Sequence, residues 1–493
     1  MNNKYILAID QGTTSTRAIL FDKKANPIHS AQKEVKCLYP ALGWVEQDPL
    51  EIWLSVIGVI NELLVKANIT MDNIDSIGIT NQRETSVVWD KNTGMPVYNA
   101  IVWQSRQSND ICESVECYKE LIHEKTGLLI NPYFSASKIR FILDHIKDGQ
   151  KRAEKGELLF GTIDTWILYK MTSGKEFKTD VSNASRTMLF NIHTLSWDEE
   201  LLKIFNIPKK MLPEVCPSSH SFGIASFFCK DVKICALCGD QQSALFGQAC
   251  FNKGDSKNTY GTGCFMLLNT GDKPVISKHG LLTTIGWQIK DKVSYALEGS
   301  VFIGGAVVQW LRDEMDILEN SAQSEEFAKK VKDSNGIYIV PAFVGLGTPY
   351  WDNDVRGSVF GLTRGANKYH FARAALESIA YQCKDVIEVM IEESKLKIKK
   401  LKVDGGATSN KYLMQFQADI LGSDIILPTC LETTALGVSY LAGLESGYFP
   451  SLSAIEDLVS HKKIYKNLMS NEEAKKHYDG WKRAIEASRV FKI

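Results

Sequence analysis

Short apolar runs that end in polar, glycine-containing turns recur along the chain. Residues 5–9 form the first run, Asp10 ends it, and residues 18–21 form a second run after the turn. Apolar runs of this length are typical of buried strands and are too short for helices. The pattern therefore predicts a β-hairpin, with a polar turn at residues 10–17 between its two strands.

Helical patterns alternate with further predicted strands. Asp48, followed by Pro49 and Glu51, is typical of a helix N-terminus, and the helix is predicted to reach about Ala67. In chain order, the other predicted strands are 27–36, 74–80, 86–89, 97–103 and 234–239, with a turn at 92–94 between 86–89 and 97–103. The other predicted helices lie within 119–150, begin at 161–166, and lie at 243–248, within 301–312, at 411–421 and at 434–444. The sequence after residue 450 is polar and is predicted to be helical.

A second hairpin pattern opens the other half of the chain. Residues 258–260 and 264–268 flank a Gly-Thr-Gly turn, and its Gly-Thr corner repeats the one at residues 12–13. Two turns of one design, each near the start of a half-chain, indicate a duplicated architecture. We therefore expect two domains, at residues 1–249 and 250–493.

Composition narrows the class of protein. The chain has 493 residues, of which 44% are apolar and 23% charged, as in soluble globular proteins with two large domains or more. The formal net charge of −1 gives no overall field that would attract nucleic acid or an anionic membrane. No apolar run reaches the roughly 18 residues of a membrane span, and no signal peptide is apparent.

Cysteine usage indicates a reducing compartment, and we expect a cytoplasmic location. The 11 cysteines are scattered without the spacing of a small disulfide scaffold. Cys235 and Cys238 form a lone CxxC pair within a predicted strand. Residues three apart on a strand point to opposite faces, so buried thiols are favoured over a metal site.

The first polar turn is suited to bind phosphate. Backbone N–H groups and the hydroxyls of Thr13, Thr14 and Ser15 can face one anion together, and Arg17 adds a fixed positive charge. Asp10 can hold a hydrated Mg²⁺, which needs few carboxylate ligands. The alternative is an ordinary hairpin. The turn is not a P-loop, because no Gly-Lys-Ser/Thr follows and the next element is a strand.

Three glycine turns after predicted strands favour a nucleotide ligand. They lie at residues 10–17, 261–263 and 404–410. Two of them could hold phosphates from both sides, and the third could approach an adenosine closely because glycine has no Cβ atom. Each turn alone is a weak signal.

A second group of residues is suited to a small polyol. Arg83 and Glu84 follow the predicted strand 74–80 at its carboxyl end, where α/β folds place ligands. Arg donates to neighbouring oxygens and Glu accepts from hydroxyls. The alternative is a surface ion pair of little energetic value. Trp103, Tyr133 and Phe265 could wall the polyol or could be core residues.

Asp240 is the candidate catalytic base. It ends a predicted strand and precedes a helix, so a helix N-cap is the alternative interpretation. In phosphoryl transfer, positioning and charge stabilisation dominate, and a placed base adds roughly 10²–10⁴-fold. One carboxylate can serve both roles.

These motifs together resemble the FGGY carbohydrate kinase family. The matching stretches extend over most of the chain before residue 445. They include IDQGTTSTRA (9–18), AIVWQ (100–104), GDQQSALFGQ (239–248), KNTYGTGCF (257–265) and VDGGATSN (403–410). GITNQRET (78–85) and NASRTMLFNIHTL (183–195) are similar to the members that act on glycerol rather than on pentuloses.

The resemblance implies an α/β fold with two ribonuclease-H-like domains of the actin and hexokinase type, flanking a central cleft. It implies ATP-dependent phosphorylation of glycerol to sn-glycerol 3-phosphate with release of ADP, assisted by Mg²⁺. It also implies a homo-oligomer, either a dimer or a tetramer. The alternatives are a kinase for another small polyol or ketose and, from another class, an actin-like ATPase.

The resemblance also assigns roles by position. Asp240 matches the base, Asp10 the carboxylate near Mg²⁺ (through water), and Arg17 the cation at the transferred phosphoryl. The residues that match the glycerol site are Arg83, Glu84, Trp103, Tyr133, Asp240, Gln241 and Phe265. The residues that match the nucleotide site are Thr13, Thr14, Ser15, Arg17, Thr262, Gly305, Gln309, Gly406 and Asn410.

Overall fold

The structure is a computed structural model that describes residues 4–228, 230–352 and 354–491. We call the part before residue 250 the N-terminal half and the remainder the C-terminal half. The strands of the N-terminal half are β1 (Tyr5–Gln11), β2 (Ser15–Phe21), β3 (Pro27–Glu34), β4 (Glu46–Gln47), β5 (Ile74–Asn81), β6 (Val87–Asp90), β7 (Ala100–Ile101), β8 (Leu158–Gly161), β9 (Lys178–Asp180), β10 (Phe190–Asn191), β11 (Ser196–Trp197), β12 (Glu214–Cys216), β13 (Ser219–Ile224) and β14 (Lys233–Gly239). Its helices are α1 (Pro49–Ala67), α2 (Asn109–Ser114), α3 (Lys119–Thr126), α4 (Ser135–His145), α5 (Gly149–Lys155), α6 (Ile163–Met171), α7 (Val181–Ala184), α8 (Glu199–Ile204) and α9 (Asp240–Gly247).

The C-terminal half follows the same alternation of elements. Its strands are β15 (Ser256–Tyr260), β16 (Cys264–Gly271), β17 (Leu282–Ile289), β18 (Lys292–Val301), β19 (Tyr338–Val340), β20 (Ser358–Phe360), β21 (Lys400–Asp404), β22 (Asp424–Pro428) and β23 (His461–Tyr465). Its helices are α10 (Ala306–Asp313), α11 (Gln323–Lys329), α12 (Lys368–Ser394), α13 (Lys411–Leu421), α14 (Thr433–Ser446), α15 (Leu452–Leu458) and α16 (Asn471–Val490).

One mixed sheet runs through both halves. Its order is β23-β22-β21-β15-β16-β18-β17-β13-β14-β5-β1-β2-β3. In each half an antiparallel hairpin is continued by two parallel strands: β2-β1-β5-β14 in the first half and β16-β15-β21-β22 in the second. The repeated strand order confirms the duplicated architecture expected from the two Gly-Thr corners.

Helix α1 forms where its sequence signals predict. The side chain of Asp48 accepts a hydrogen bond from the N–H of Leu50 at 2.8 Å, Pro49 occupies the first helical position, and Asn68 ends the helix in the left-handed conformation at φ 52°. These groups satisfy backbone donors and acceptors that a helix end leaves unpaired. The predicted limits of residues 49–67 are confirmed.

Two predicted elements differ in the structure. The turn at residues 92–94 forms, but the segments 86–89 and 97–103 form no ladder. Ser86 makes an isolated bridge with Ile101, Trp89 makes another with Pro96 just before the second segment, and the strand within 97–103 is β7. Pro96 lies opposite Trp89 and has no N–H group to donate, so the ladder cannot continue. β6 pairs with β8 instead.

The region after residue 450 was also predicted incompletely. It contains α15 and α16, but between them β23 adds an edge strand to the sheet, next to β22. The prediction of helix alone was wrong because the sequence of β23, His-Lys-Lys-Ile-Tyr, has little hydrophobic signal. Charged side chains are common on edge strands, which they protect from further pairing.

The halves join through two helices. Where α9 packs against α14, a Cβ atom added at Gly247 would overlap the backbone of Thr433, and one added at Gly437 would overlap the backbone of Ser243. Only glycine permits so close an approach. The contact fixes the N-terminus of α9, where Asp240 lies, relative to the C-terminal half.

The remaining expectations from composition concern thiols and membrane spans. Cys235 and Cys238 both lie on β14 and are buried free thiols. Within the described ranges, no group of three or more His, Cys, Asp and Glu side chains could hold a metal ion. None of the described helices is both long and apolar enough to cross a bilayer.

Candidate active site

Three neighbouring parallel strands bring the predicted catalytic residues to one edge of the sheet. In the register of β1, β5 and β14, Gln11 lies opposite Asn81, and Asn81 lies opposite Gly239. Asp10, the residue before the last of β1, therefore lies close to the level where Arg83 follows β5 and Asp240 follows β14. The carboxyl edge of parallel strands is where ligands bind in α/β folds.

Arg83 and Glu84 belong to a group of four buried charged side chains. Arg83 donates to both carboxylate oxygens of Glu298, with Nη1–Oε2 at 2.6 Å and Nη2–Oε1 at 2.9 Å. Arg186 donates from Nε to Oε1 of Glu84 at 2.6 Å and from Nη2 to Oε1 of Glu298 at 3.2 Å. None of the four residues is more than 3% exposed. We call Arg83, Glu84, Arg186 and Glu298 the charge cluster.

The charge cluster is neutral overall, and its members stabilise one another. Burial alone would raise the pKa of Glu298, but Arg186 and Arg83 lower the pKa of this carboxyl to about 2. Burial raises the pKa of Glu84, and the same two guanidinium groups oppose that rise. Because a buried charge without a partner is very costly, this arrangement fixes the side chains of Arg83 and Glu84.

Two members of the charge cluster lie outside the sequence-based predictions. Arg186 lies in the quoted stretch 183–195, and Glu298 lies on β18 of the other half. Neither follows a strand end or a glycine turn, so no local pattern indicated a role. Buried charges near a predicted ligand pair are visible only after folding.

Asp240 lies beside this cluster and is accessible. Its Oδ1 is 3.2 Å from Nε of Arg83, and its side chain is 29% exposed. It is the first residue of α9, while Gly239 occupies the N-cap, so the N-cap interpretation was wrong. Burial raises the pKa of Asp240, whereas Arg83 and Lys257 lower it. An accessible carboxylate held in place by a guanidinium is suited to accept a proton.

Aromatic side chains line the N-terminal part of the site. The indole N–H of Trp103 donates to the hydroxyl of Thr13 at 2.9 Å, and the rings of Trp103 and Tyr133 meet edge to face at 5.5 Å. The guanidinium carbon of Arg186 lies 5.7 Å from the centre of the Tyr133 ring. Both rings are half-buried. Phe265, also half-buried, lies on β16 of the other half.

Glutamine side chains support the first glycine turn. The N–H of Gly12 donates to the carbonyl of Ser15 at 2.9 Å, which closes the turn. Gln47 donates to the carbonyl of Thr13 at 2.6 Å, and Gln82 donates to the side-chain oxygen of Gln47 at 2.8 Å. Thr14 is exposed at the tip of the turn. This support leaves the turn open for a ligand on its outer side.

Asp10 carries the electrostatic signature of a cation site. Burial and the nearby Asp240 raise the pKa of Asp10 to about 7, while Arg17 lowers it. Arg17 forms an ion pair with Glu432 at 2.9 Å, with both side chains partly exposed, so its charge is shared. Two neighbouring carboxylates without a full counter-charge suit a hydrated Mg²⁺, which binds through one or two carboxylates and keeps several waters.

The second glycine turn packs on the loop before α10. The N–H of Gly304 donates to the carbonyl of Thr262 at 2.8 Å, and that of Gly305 donates to the carbonyl of Gly261 at 2.9 Å. A Cβ atom at Gly305 would lie 2.8 Å from the carbonyl oxygen of Gly261, and one at Gly263 would lie 2.5 Å from that of Val301. The structure thus brings Thr262 and Gly305 together, while Gln309 is exposed on α10.

The third glycine turn leaves an open surface. Gly405 has φ 90° and packs against the backbone of Tyr260, whereas a Cβ atom at Gly406 would meet nothing within 4 Å. Asn410 caps α13 by accepting from the N–H of Leu413 at 3.0 Å and donates to Ser324 at 3.2 Å. Asn410 therefore has a structural role here, and a contact with a nucleotide stays a prediction.

Comparisons with known proteins give the family. The model of the N-terminal domain of the FGGY family of carbohydrate kinases matches residues 5–247, and that of the C-terminal domain matches residues 256–446. The chain belongs to the FGGY family of carbohydrate kinases. It has the two-domain, actin- and hexokinase-like fold of FGGY kinases, built on a large mixed α/β sheet.

Several FGGY kinases are similar to this chain over its whole length. A relative from Oceanobacillus iheyensis named glycerol kinase is 56% identical and covers 100% of both chains, and one from Thermoanaerobacter sp. with the same name is 57% identical over 98% of each. The solved structure of Plasmodium falciparum glycerol kinase with ADP is 36% identical, with a TM-score of 0.94, covering 100% of this chain and 99% of that chain. A xylulose kinase from Lactobacillus acidophilus, 24% identical with a TM-score of 0.88, shares the fold.

Proposed function

We propose that this protein transfers the γ-phosphoryl group of ATP to a terminal hydroxyl of glycerol, giving sn-glycerol 3-phosphate and ADP. The observation that carries the proposal is the contact between Arg83 and Asp240 at 3.2 Å, which sets the candidate polyol pair beside an accessible carboxylate. Full-length relatives named glycerol kinase at 56–57% identity support glycerol as the substrate. The likeness to a glycerol kinase with ADP supports the nucleotide.

In this proposal the buried pair orients glycerol. Arg83 donates to one hydroxyl and Glu84 accepts from its neighbour, while Trp103, Tyr133 and Phe265 cover the carbon chain. Arg186 and Glu298 hold the polar pair in place, so little side-chain ordering is needed when glycerol binds. Pre-organisation of this kind improves both affinity and orientation.

Asp240 then acts as the general base. Its carboxylate accepts the proton of the third hydroxyl as that oxygen forms a bond to the γ-phosphorus. The bond between the γ-phosphorus and the oxygen that bridges to the β-phosphate breaks, and ADP leaves with the electron pair. The backbone N–H groups of the two Gly-Thr turns and the guanidinium of Arg17 face the developing negative charge.

The proposal includes Mg²⁺ next to Asp10. The raised pKa of Asp10 and the proximity of Asp240 indicate a locally negative site that a divalent cation would neutralise. When bound, Mg²⁺ supplies charge neutralisation to the phosphates. Asp10 would hold the ion through water, because Mg²⁺ keeps several of its waters and the described residues contain no group of three or more His, Cys, Asp and Glu side chains that could bind it directly.

The direct test is a substrate panel with the full chain. ADP release is measured with ATP and Mg²⁺ in the presence of glycerol, dihydroxyacetone, xylulose or ribulose, or without an acceptor. We expect glycerol to give the highest kcat/KM and the acceptor-free rate to be negligible. A preference for xylulose or ribulose would point to another kinase of the family. ADP release that ignores every acceptor would favour an actin-like ATPase.

We also propose a cytoplasmic location and a homo-oligomeric state, either dimer or tetramer. The free thiols recorded at every described cysteine support a reducing compartment. Mass determination in solution at several protein concentrations tests the assembly, and a species of one chain at all concentrations would contradict it.

A further inference from the structure

A buried lysine lies at the junction between the two halves of the site. Lys257 is on β15, four residues before the glycine of the second Gly-Thr corner, and its side chain has no solvent exposure. Its ammonium group donates to the side-chain oxygen of Gln241 on α9 and, at 2.8 Å, to the hydroxyl of Thr259. Gln241 belongs to the N-terminal half and Thr259 to the C-terminal half.

The fold itself does not require a lysine at this place. The matching position of the first hairpin, four residues before Gly12, is Ala8, which is fully buried in an apolar cluster. Lys257 and Ala8 thus occupy equivalent places in two copies of one architecture. Burying an ammonium group is costly, whereas alanine is not. The lysine therefore needs an explanation beyond packing.

Burial and the nearby carboxylates act on the pKa of Lys257 in opposite directions. Burial lowers the pKa of Lys257, while Asp404, Asp240 and Glu298 act to keep it protonated. Both of its hydrogen-bond acceptors are uncharged, so the three carboxylates act on it from a distance. Lys257 in turn lowers the pKa of the candidate base Asp240.

The two acceptors of Lys257 lie beside different groups of candidate site residues. Gln241 follows the candidate base, and its N–H donates to Oδ1 of Asp240 at 2.7 Å. Thr259 lies opposite Phe265 in the hairpin register and opposite Asp404 on the other side. Because Lys257 and Thr259 lie on the same strand, a shift of one half against the other would change the distance from the Lys257 amine to Gln241 and leave the contact with Thr259 in place. The three-residue link therefore senses the relative position of the two sites.

We propose that Lys257 is a positioning residue that couples the polyol pocket to the nucleotide turns by joining Gln241 of one half to Thr259 of the other. Filling one site orders the link and lowers the cost of filling the second. Glycerol should then strengthen ADP binding, and ADP should strengthen glycerol binding by the same factor. This inference rests on the proposed function, because it takes glycerol and a nucleotide as the two ligands.

The test measures ligand binding without turnover. Calorimetry gives the Kd of ADP with Mg²⁺, in the absence of glycerol and at saturating glycerol, for the wild type and for Lys257→Met. We expect glycerol to strengthen ADP binding at least about five-fold in the wild type. In Lys257→Met the effect should fall to about two-fold or less, because methionine fills the space but donates no hydrogen bond.

Matched variants separate coupling from damage to the fold. Lys402 lies opposite Lys257 in the register of β15 and β21, and its amine donates, among the described residues, to the carbonyls of Gln248 and Ala249. Lys402→Met should keep the wild-type coupling. Thr259→Val keeps the buried lysine and removes one acceptor, so it tests the link even if Lys257→Met does not fold. It should reduce the coupling at least two-fold.

The outcomes distinguish this inference from the proposed function. Wild-type protein that releases ADP in a glycerol-dependent manner but shows no mutual strengthening would overturn the role of Lys257 and leave the function standing. Full coupling in both Lys257→Met and Thr259→Val would do the same. Wild-type protein that binds ADP but not glycerol would contradict the proposed function itself.

Discussion

The polyol side and the nucleotide side of the site present different chemical groups to a ligand. On the polyol side, charged side chains that are at most 3% exposed hold one another through hydrogen bonds. On the nucleotide side, glycine turns present backbone, and the predicted contacts Gln309 and Gly406 are exposed. The first surface recognises a ligand through fixed side chains, and the second through the shape of the main chain.

The difference teaches how each side should respond to mutation. A buried charge without its partner costs far more than a surface charge, so changes in the charge cluster should affect stability as well as binding. A glycine turn offers no side chain to remove, so changes there act by adding a Cβ atom. The predictions below test this contrast in order of decreasing effect.

The largest expected effect is from Glu298→Gln. The substitution leaves the guanidinium groups of Arg83 and Arg186 with half of their countercharge, and we expect it to lower the free energy of unfolding by about 3 kcal/mol. Urea unfolding measures this value. The control is Asp479→Asn, which breaks the exposed pair with Lys475 and should cost less than about 1 kcal/mol. Equal, small losses in both variants would show that the cluster is not stabilised as described.

Glu84→Gln tests recognition on the polyol side. Gln keeps the shape but loses the charge that accepts from the polyol, so KM for glycerol should rise about 10- to 100-fold, consistent with one charge-assisted hydrogen bond. The Kd of ADP should change less than two-fold. Steady-state kinetics with glycerol and calorimetry with ADP provide both values. Parallel losses for both ligands would contradict the assignment of Glu84 to the polyol.

Two glycine variants test the nucleotide side. A Cβ atom at Gly305 would press on Gly261, so Gly305→Ala should destabilise the protein by about 1–3 kcal/mol and weaken ADP binding. Gly406 has open space around it, so Gly406→Ala should change the stability by no more than about 0.5 kcal/mol. If Gly406 contacts the adenosine as predicted, its variant should still weaken ADP binding several-fold. Unchanged ADP affinity in Gly406→Ala would remove this residue from the nucleotide site.

The smallest effect concerns pH and Lys138, a buried residue of α4 that donates to the carbonyls of Tyr133 and Phe134. Burial lowers the pKa of Lys138 from 10.5 to about 7, although Glu84 opposes this. Above pH 7 the unfolded chain binds a proton that the folded chain has released, so stability should rise with pH. From pH 7 to 8 the gain is about 1 kcal/mol.

Lys138→Met provides the comparison for this effect. It should lack the increment of about 1 kcal/mol because methionine does not titrate. Urea unfolding at pH 7 and pH 8 of the wild type and the variant gives the difference directly. The same pH dependence in both proteins would show that another group is responsible.

Much of the polyol side could be predicted because its residues follow strand ends. Asp10 and Asp240 come directly after an apolar run and Arg83 follows one within three residues, and the parallel register places such residues together. The Gly-Thr corners at Gly12 and Gly261 were visible for the same reason. Local sequence patterns predict where a strand or helix ends and therefore which residues lie at its end.

The supporting residues could not be predicted, because their roles depend on contacts between distant segments. Arg186 lies in a loop, and Lys257 and Glu298 lie within strands. At such positions the neighbouring sequence does not indicate which residues a charged side chain contacts. The edge strand β23 was missed for a related reason: its pairing with β22 is a tertiary contact that its polar sequence does not predict. Conversely, the ion pair of Arg17 with Glu432 joins residues that no spacing rule connects.

The most direct test of the central claim is the comparison of Asp240→Asn with the wild type. Asn keeps the shape of the side chain but accepts no proton, so kcat for glycerol-dependent ADP release should fall by about 10²–10⁴-fold. The Kd values of glycerol and of ADP, measured by calorimetry on the same preparation, should stay within a few-fold of those of the wild type. Turnover close to the wild-type rate, with both ligands bound, would contradict the placement of the catalytic base at Asp240.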